Sequence, residues 1–416
     1  MTWESRILHL GLGRFHRAHQ AVYFQRLADL GDHRWGVTAF SMRSPGARDE
    51  LRQLGMSYRV VEWAGEQIEE RRVESIRSCG DATEDRGLWE AAFSDPHTEV
   101  VTLTVTEKGY TLDAAGSADF NHPDLVHDLA HPMAPRSAVG IIARGLQLRH
   151  AVGAGPLTVL SCDNLRDNGG KLERAVRAFA DRAGLTPQIF AQVKFPNSMV
   201  DRIVPAAAAG QHADEIATEE FSQWVVQDDF AGERPPWERV GVEFVADVRP
   251  FEDVKLRLLN AAHSLMAYHG LLGGHEFVHQ AVRDGAIRRR VITLWAEVTP
   301  LLDLPAGHDT AAYCARLLQR FDNPRLPHAL AQIAADGSQK LPQRLWPSIE
   351  EARRRGLPHA ELLAAWEAWV GFSYHAIVEK RWSWRDPLRP RAELIAARDV
   401  PTWSAAFRDL LPFEAR

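Results

Sequence analysis

The feature that most constrains the fold is a short apolar run, Ile7-Leu-His-Leu10, that breaks on Gly11-Leu-Gly13 and passes into Arg14-Phe15-His16-Arg17-Ala18. A strand ending on a glycine turn that opens a helix is the setting in which a dinucleotide pyrophosphate is held. The first glycine permits the tight turn, the second lets backbone approach the phosphates, and the helix start supplies oriented N–H groups. The third small position comes late, at Ala18, and His16 stands where a glycine is common. Short Gly-x-Gly turns also occur in ordinary connections, so the flanking strand and helix carry the reading. The helical pattern that follows places Ala18, Val22, Leu27 and Leu30 at apolar positions. Further strands are expected at 35–40, at 100–106 and at 157–160, the last followed by Ser161-Cys-Asp-Asn164. Strands alternating with helices make this an α/β domain with a mostly parallel sheet.

The end of the second strand bears on the cofactor. Folds specific for NAD usually place a carboxylate there for the ribose 2′-hydroxyl. This chain has Phe40-Ser-Met-Arg43-Ser44-Pro45, with no carboxylate before Asp49. Arg43 and Ser44 can tolerate a 2′-phosphate, so this position leaves the cofactor preference open; NAD is the expected cofactor, with NADP the alternative.

With 416 residues the chain is long enough for two or three domains. Its 49 Lys+Arg against 55 Asp+Glu give a net charge of −6, without the basic footprint of a nucleic-acid binder. Three cysteines, Cys79, Cys162 and Cys314, are far apart and form no C-x-x-C pair, so neither a zinc site nor a disulfide framework is indicated. Cys162 has no base beside it and reads as packing. No basic, then apolar leader opens the chain and no apolar run nears the ~18 residues of a membrane span. A cytoplasmic protein with no membrane or nucleic-acid partner is the expectation.

Loops are marked at 114–119, 131–135 and 228–236. Beyond about residue 245 helical patterns dominate, at 253–271, 276–300, 309–320, 347–355, 359–380 and 391–398. The chain is therefore divided into 1–245 and a mainly helical 246–416. The runs Arg288-Arg-Arg290 and Arg353-Arg-Arg355 read as solvated helix faces.

Within the helical half, Lys255-Leu-Arg-Leu-Leu-Asn260-Ala-Ala-His263 sets an amine, an amide and an imidazole at steps of five and three. At about 100° per residue Asn260 lies about 140° and His263 about 80° from Lys255, so all three can address one cleft. Such a set can move a proton on or off an alcohol oxygen while a hydride leaves or joins the carbon. The competing reading makes them the polar side of an amphipathic helix whose Leu256, Leu259 and Ala262 face the core.

Six ordered segments together resemble the polyol-specific long-chain dehydrogenases, the mannitol dehydrogenase family. They are Gly11-x-Gly13-x-Phe15-His-Arg-Ala-His19, Thr104-Val-Thr-Glu107-Lys-Gly-Tyr110, Ser161-Cys-Asp-Asn164-Leu, Phe195-Pro-Asn-Ser-Met-Val-Asp201-Arg-Ile, Lys255-x4-Asn260-x2-His263 and Asp336-Gly-Ser-x-Lys340-x-Pro342. The resemblance implies a Rossmann-type N-terminal domain, a mainly α-helical C-terminal domain, an active site between them, no metal, and a monomer or small homo-oligomer. It also implies a lysine base at Lys255, oxyanion-holding amides at Asn164 and Asn260, and substrate partners at Asp201, His263 and Lys340. Glu252 resembles the family's proton-relay carboxylate, with a helix-surface ion partner as the alternative. A lysine base starts near pKa 10.4 and has to be lowered by its surroundings to serve. Gly11, Gly13, Phe15, His16, Arg43 and Glu107 are the expected cofactor-binding residues. His16 and His19 alternatively cap or pack the first helix, Asp201 alternatively pairs with Arg202 or a backbone amide, and Glu107 alternatively serves a loop hydrogen bond.

Relatives acting on neutral polyols often carry an arginine where this chain has Gln332. The run Gln332 to Arg344 looks more like relatives that reduce fructuronate to mannonate. Lys340 and Arg344, four apart, can both face a carboxylate, unless Arg344 is a solvated helix end. The sequence is thus read as an NAD(P)-dependent oxidoreductase of a sugar acid. A mannitol- or arabinitol-type polyol dehydrogenase is the alternative, and a nucleotide-sensing module without turnover is the alternative of another class.

Overall fold

The computed structural model describes residues 3–65, 67–113, 116–206, 212, 214–395 and 399–410. The chain divides into two compact units, Met1–Arg249 and Pro250–Arg416.

The first unit is built on a six-stranded sheet, all of whose pairings are parallel. Its strands are β1 (Ile7–Leu10), β2 (Val37–Ser41), β5 (Ile76–Asp81), β6 (Val100–Leu103), β7 (Leu157–Ser161) and β8 (Val193–Lys194), in the order β5-β2-β1-β6-β7-β8. Chain order therefore reverses between β1 and β6, which is where such sheets open a crevice at their carboxyl ends. β1, β6 and β7 are buried at every position, as strands covered on both faces must be, and that explains their nearly unbroken apolar runs. The covering helices are α1 (Arg14–Ala18), α2 (Gln20–Asp29), α3 (Gly46–Gln53), α4 (Arg86–Ser94), α5 (Pro123–Ala130), α6 (Ala138–Val152) and α7 (Asn168–Arg182). Two small sheets complete the unit: β3 (Tyr58–Ala64) and β4 (Gln67–Val73) with β10 (Glu215–Glu219), and β9 (Ser198–Asp201) with β11 (Gln223–Gln227) and β12 (Glu243–Val245).

Three expectations for this unit need correction. The strand at 100–106 stops at Leu103, because the Val105 and Thr106 amides turn away to the Asp163 carboxylate and cannot continue the ladder. The first helical pattern is two helices, broken at His19 (φ −122°, ψ −88°), whose Nε2 lies 3.0 Å from the Gln223 carbonyl oxygen. Leu30, counted among its apolar positions, is exposed beyond the helix end. Ala114 and Ala115 of the expected loop lie outside the described residues.

The second unit is helical: α8 (Arg249–Val254), a π-helical turn (Lys255–Asn260), α9 (Ala261–Leu272), α10 (Val278–Arg283), α11 (Gly285–Val298), α12 (Thr310–Phe321), α13 (Leu330–Ala334), α14 (Gly337–Arg344), α15 (Trp346–Arg355), α16 (Ala360–Ile377), α17 (Arg389–Ala392) and α18 (Val400–Arg408). α9 is buried almost all round and runs through one core with Leu258, Leu265, Trp369 and Phe372; a helix apolar on every side belongs at a bundle centre. The stretch expected as one helix at 276–300 is split at Asp284, whose carboxylate accepts from the Ala286 and Ile287 amides and starts α11 anew. Of the helix expected at 391–398, only the end of α17 is seen, and 396–398 lie outside the described residues. Among the described residues no helix is long and apolar enough to cross a membrane.

Candidate active site

The glycine turn sits at the sheet's reversal. The Gly11 and Leu12 amides both donate to the Phe40 carbonyl at 2.8 Å, folding the chain back over the end of β2. Gly11 has φ +105°, and a Cβ there would meet the Thr104 carbonyl oxygen at 2.1 Å. Only glycine lets the turn lie this close to β6. Gly13 is different: its backbone is extended, and a Cβ would meet nothing nearer than 3.7 Å. A methyl group would be tolerated there without a clash, at the start of α1, which no side chain caps. This fits a pyrophosphate.

The turn has a support that the sequence reading missed. His9, fully buried in β1, places Nδ1 2.8 Å from Thr102 Oγ1 and Nε2 3.2 Å from the Gly11 carbonyl oxygen and 3.1 Å from Thr104 Oγ1. A carbonyl oxygen only accepts, so Nε2 carries the proton and Nδ1 accepts from Thr102. Burial pushes the His9 pKa down to about 3, so the ring is neutral and this tautomer is fixed. A histidine inside an otherwise apolar strand was the available signal. His16 lies wholly buried, stacked on His9 at 3.4 Å, its pKa held well below the usual value by burial and by His9. Its ring is sealed against His9. Phe15 stacks on His19 at 5.1 Å. Arg43 and Ser44 are exposed past β2, and Asp49 is engaged by Arg48 at 2.8 Å.

Asp163 is a second residue the sequence reading passed over. Its carboxylate accepts from Val105 N (3.1 Å), Thr106 N (2.7 Å) and the Tyr110 hydroxyl (3.0 Å). It thereby ties the segment after β6, with Thr106 at φ +65° and Glu107 half-buried beside it, to the segment after β7. Burial raises its pKa to about 6 against these bonds. Asn164, next in sequence, is exposed just beyond β7. Asp201 is buried at the end of β9, opposite Gln223. Arg202 does not pair with it: that guanidinium bonds Glu62 and the Glu219 and Ala18 carbonyls.

In the second unit, Lys255, Asn260 and His263 are 7%, 5% and 5% exposed, and Leu256, Leu259 and Ala262 are buried too. The helix has no solvated polar side, which removes the amphipathic alternative. The turn over 255–260 also changes the expected geometry. In a π turn residue i bonds residue i+5, so Lys255 and Asn260 stack on one face. The Trp295 indole N–H donates to the Leu258 carbonyl at 3.0 Å, taking up an acceptor inside the turn. Asn260 Nδ2 and His263 Nε2 are shut from solvent with no hydrogen-bond partner. Burial first, then His328, Arg344, Arg320 and Lys255, hold the His263 pKa well below the usual value, so the ring is neutral. Glu252 is buried at 4% exposure and is not a surface ion partner. Arg344 is not a solvated helix end: it is buried and donates from Nη1 to Ser264 Oγ at 3.2 Å. Lys340 donates to the Ile333 carbonyl at 3.3 Å. Among the described residues no group of three or more His, Cys, Asp or Glu could hold a metal ion.

A reversal of strand order with a glycine turn at it is the arrangement of a dinucleotide-binding domain, here followed in the same chain by a helical unit with a buried lysine. The chain belongs to the mannitol dehydrogenase family: the mannitol dehydrogenase Rossmann domain matches residues 5–239 and the mannitol dehydrogenase C-terminal domain residues 247–399. It is 42% identical over 392 residues to D-mannonate oxidoreductase of Escherichia coli K12, covering 89% of this chain and 80% of the relative. It is 36% identical over 388 residues to mannitol 2-dehydrogenase of Cereibacter sphaeroides, covering 88% and 80%. The solved mannitol 2-dehydrogenase of Pseudomonas fluorescens, a ternary complex with NAD and D-mannitol, superposes with a TM-score of 0.89 at 31% identity over 98% of this chain and 91% of that one. The protein is an NAD(P)-dependent oxidoreductase acting on CH–OH groups of polyols or sugar acids.

Proposed function

We propose that the protein interconverts a keto sugar acid and its hexonate, of the fructuronate and mannonate type, with Lys255 as general acid–base. The observation that carries the substrate class is the guanidinium of Arg344, buried and oriented by Ser264 in the unit that holds Lys255 and His263. A buried arginine with a lysine four residues before it suits a carboxylate by charge and by forked hydrogen bonding. The 42% identity to a D-mannonate oxidoreductase supports the same reading.

The dinucleotide, when bound, supplies the hydride acceptor or donor. Gly11, Gly13 and the start of α1 would hold its pyrophosphate, with Phe15, Arg43 and Glu107 at the margins. Lys255 takes the hydroxyl proton during oxidation and returns it during reduction. The amide N–H groups of Asn260 and Asn164 stabilise the alkoxide as it forms, a role supported by Asn260 Nδ2 having no partner within the chain. His263 and Asp201 bond neighbouring substrate hydroxyls, Lys340 and Arg344 take the carboxylate, and Glu252 passes the proton onward from Lys255.

A neutral polyol is the second reading, favoured by the likeness to a mannitol-bound dehydrogenase. Initial rates on mannonate, mannitol and arabinitol, each with NAD and NADP, separate the two. One charge-assisted hydrogen bond is worth about 1.5–3 kcal/mol, so kcat/KM for mannonate is expected to exceed that for mannitol by about tenfold or more. A higher value for mannitol overturns the sugar-acid assignment.

A further inference from the structure

The connection between α12 and α13 carries a histidine that neither the motif resemblance nor the mechanism above uses. Connections are ordinarily mobile, yet this one is pinned on both sides of His328. The Val278 amide donates to the His328 carbonyl at 3.0 Å, Phe277 and Ala329 form an antiparallel bridge, and the Leu330 amide donates to the Glu276 carbonyl at 2.9 Å. The ring so positioned crosses that of His263 edge to face, with centroids 5.4 Å apart at 85°. Its Nδ1 is shut from solvent and has no hydrogen-bond partner, the same condition as His263 Nε2 and Asn260 Nδ2. A buried polar atom left unbonded costs about 1–3 kcal/mol. Two of them belong to rings in direct edge-to-face contact, and the third, on Asn260, lies three residues before His263. Lys340 and Arg344 stand close enough to His328 to work, after burial, against its protonation, and its pKa falls to about 4. The ring is therefore a neutral hydrogen-bonding group beside two cations.

We propose that His328 is a substrate-binding residue: its Nδ1 hydrogen-bonds the substrate hydroxyl next to the carboxylate, at the end of the pocket bounded by Lys340 and Arg344, with His263 on its other side. The assignment of the neighbouring group as a carboxylate rests on the sugar-acid reading; the assignment of His328 to the pocket does not.

Two variants test it. His328→Leu keeps the bulk and removes the hydrogen bond, whereas His328→Asn restores a polar atom near the position of Nδ1. Leucine is expected to raise KM for mannonate by about tenfold or more while kcat changes by less than about threefold, as loss of a binding contact shared by ground and transition states requires. Asparagine is expected to recover most of that KM, and NADH affinity stays unchanged in both. A merely structural histidine would lower the thermal midpoint in both variants without separating them by KM, and that result overturns the proposal. Wild-type KM in both variants overturns it as well. If the wild-type enzyme oxidises mannitol and not mannonate, the sugar-acid reading fails on its own, and the same pair measured on mannitol decides the role of His328.

Discussion

Replacing each glycine of the Gly11-Leu-Gly13 turn by alanine separates what the turn does for the fold from what it does for the ligand. At Gly11 an added Cβ lies 2.1 Å from the Thr104 carbonyl oxygen, against 3.4 Å for ordinary contact, so backbone has to move by the difference, 3.4 − 2.1 = 1.3 Å. That shift disturbs the Thr104 amide bond to Leu10 and the bonds from His9 and Thr104 to the Gly11 carbonyl. Holding alanine at φ +105° adds strain of about 1–3 kcal/mol. With about 1 kcal/mol for each weakened hydrogen bond, Gly11→Ala is expected to cost about 3 kcal/mol or more. In a unit of this size that lowers the first thermal transition by about 6–12 °C. At Gly13 the backbone is already extended and the nearest atom to a new Cβ is 3.7 Å away. Gly13→Ala is expected to leave that transition unchanged, or to raise stability by about 0.4–1 kcal/mol through the unfolded chain. Yet its methyl group stands where a pyrophosphate has to approach, and NADH affinity, read by fluorescence titration, is expected to fall by about thirtyfold or more, equivalent to about 2 kcal/mol. Wild-type NADH affinity in Gly13→Ala would refute the placement of the dinucleotide, and a wild-type midpoint in Gly11→Ala would refute the steric argument.

Lys255→Met is expected to bind NADH as the wild type does and to lose at least about 10²-fold in kcat, the usual share of a positioned acid–base; unchanged turnover would discard the lysine mechanism. His9 makes stability depend on pH. Its pKa is about 3 in the folded chain against 6.5 unfolded, so the unfolded state binds the extra proton first and stability falls as pH drops through 6.5 toward 3. Between pH 7.5 and pH 5 the loss from this ring is about 2 kcal/mol, and a His9→Gln variant should show a denaturation midpoint that declines less steeply over that interval. An equal slope would mean that the ring is not held neutral. Dialysis against a chelator is expected to leave the rate unchanged, since the proposed chemistry runs on an amine and amides; a rate restored only by added divalent metal would contradict it.

The parts of this fold that were legible in the sequence are those where a local pattern and a tertiary requirement coincide. β1, β6 and β7 are covered on both faces, so they are mostly apolar, and the sequence places β1 and β7 at nearly the right residues and β6 at its right start. What escaped depended on partners distant in the chain. The end of β6 is set by Asp163, sixty residues away in another strand's loop, and threonine and valine beyond Leu103 gave no hint of it. The break at His19 depends on a carbonyl of Gln223. The small strands at 58–73 and 198–245 alternate too irregularly, and include too many charges, to stand out against loops.

The lysine segment shows the same limit at the scale of one turn. Periodicity averages over a helix and assumes a constant pitch, so it placed Asn260 about 140° from Lys255. The chain instead takes i→i+5 geometry over just those six residues, which brings the amine and the amide to one side while α9 resumes its ordinary pitch and carries His263 on the same face. A π turn weakens the helix locally, and here its Leu258 carbonyl has to be met by an indole from α11. A core under selection for stability alone would have no use for such a turn, nor for an amide and two imidazoles buried with unmet hydrogen-bonding atoms beside it. On the proposed reading a bound substrate supplies the missing partners, and the lysine segment, more than the sheet, is where the sequence pattern by itself gave the least geometry.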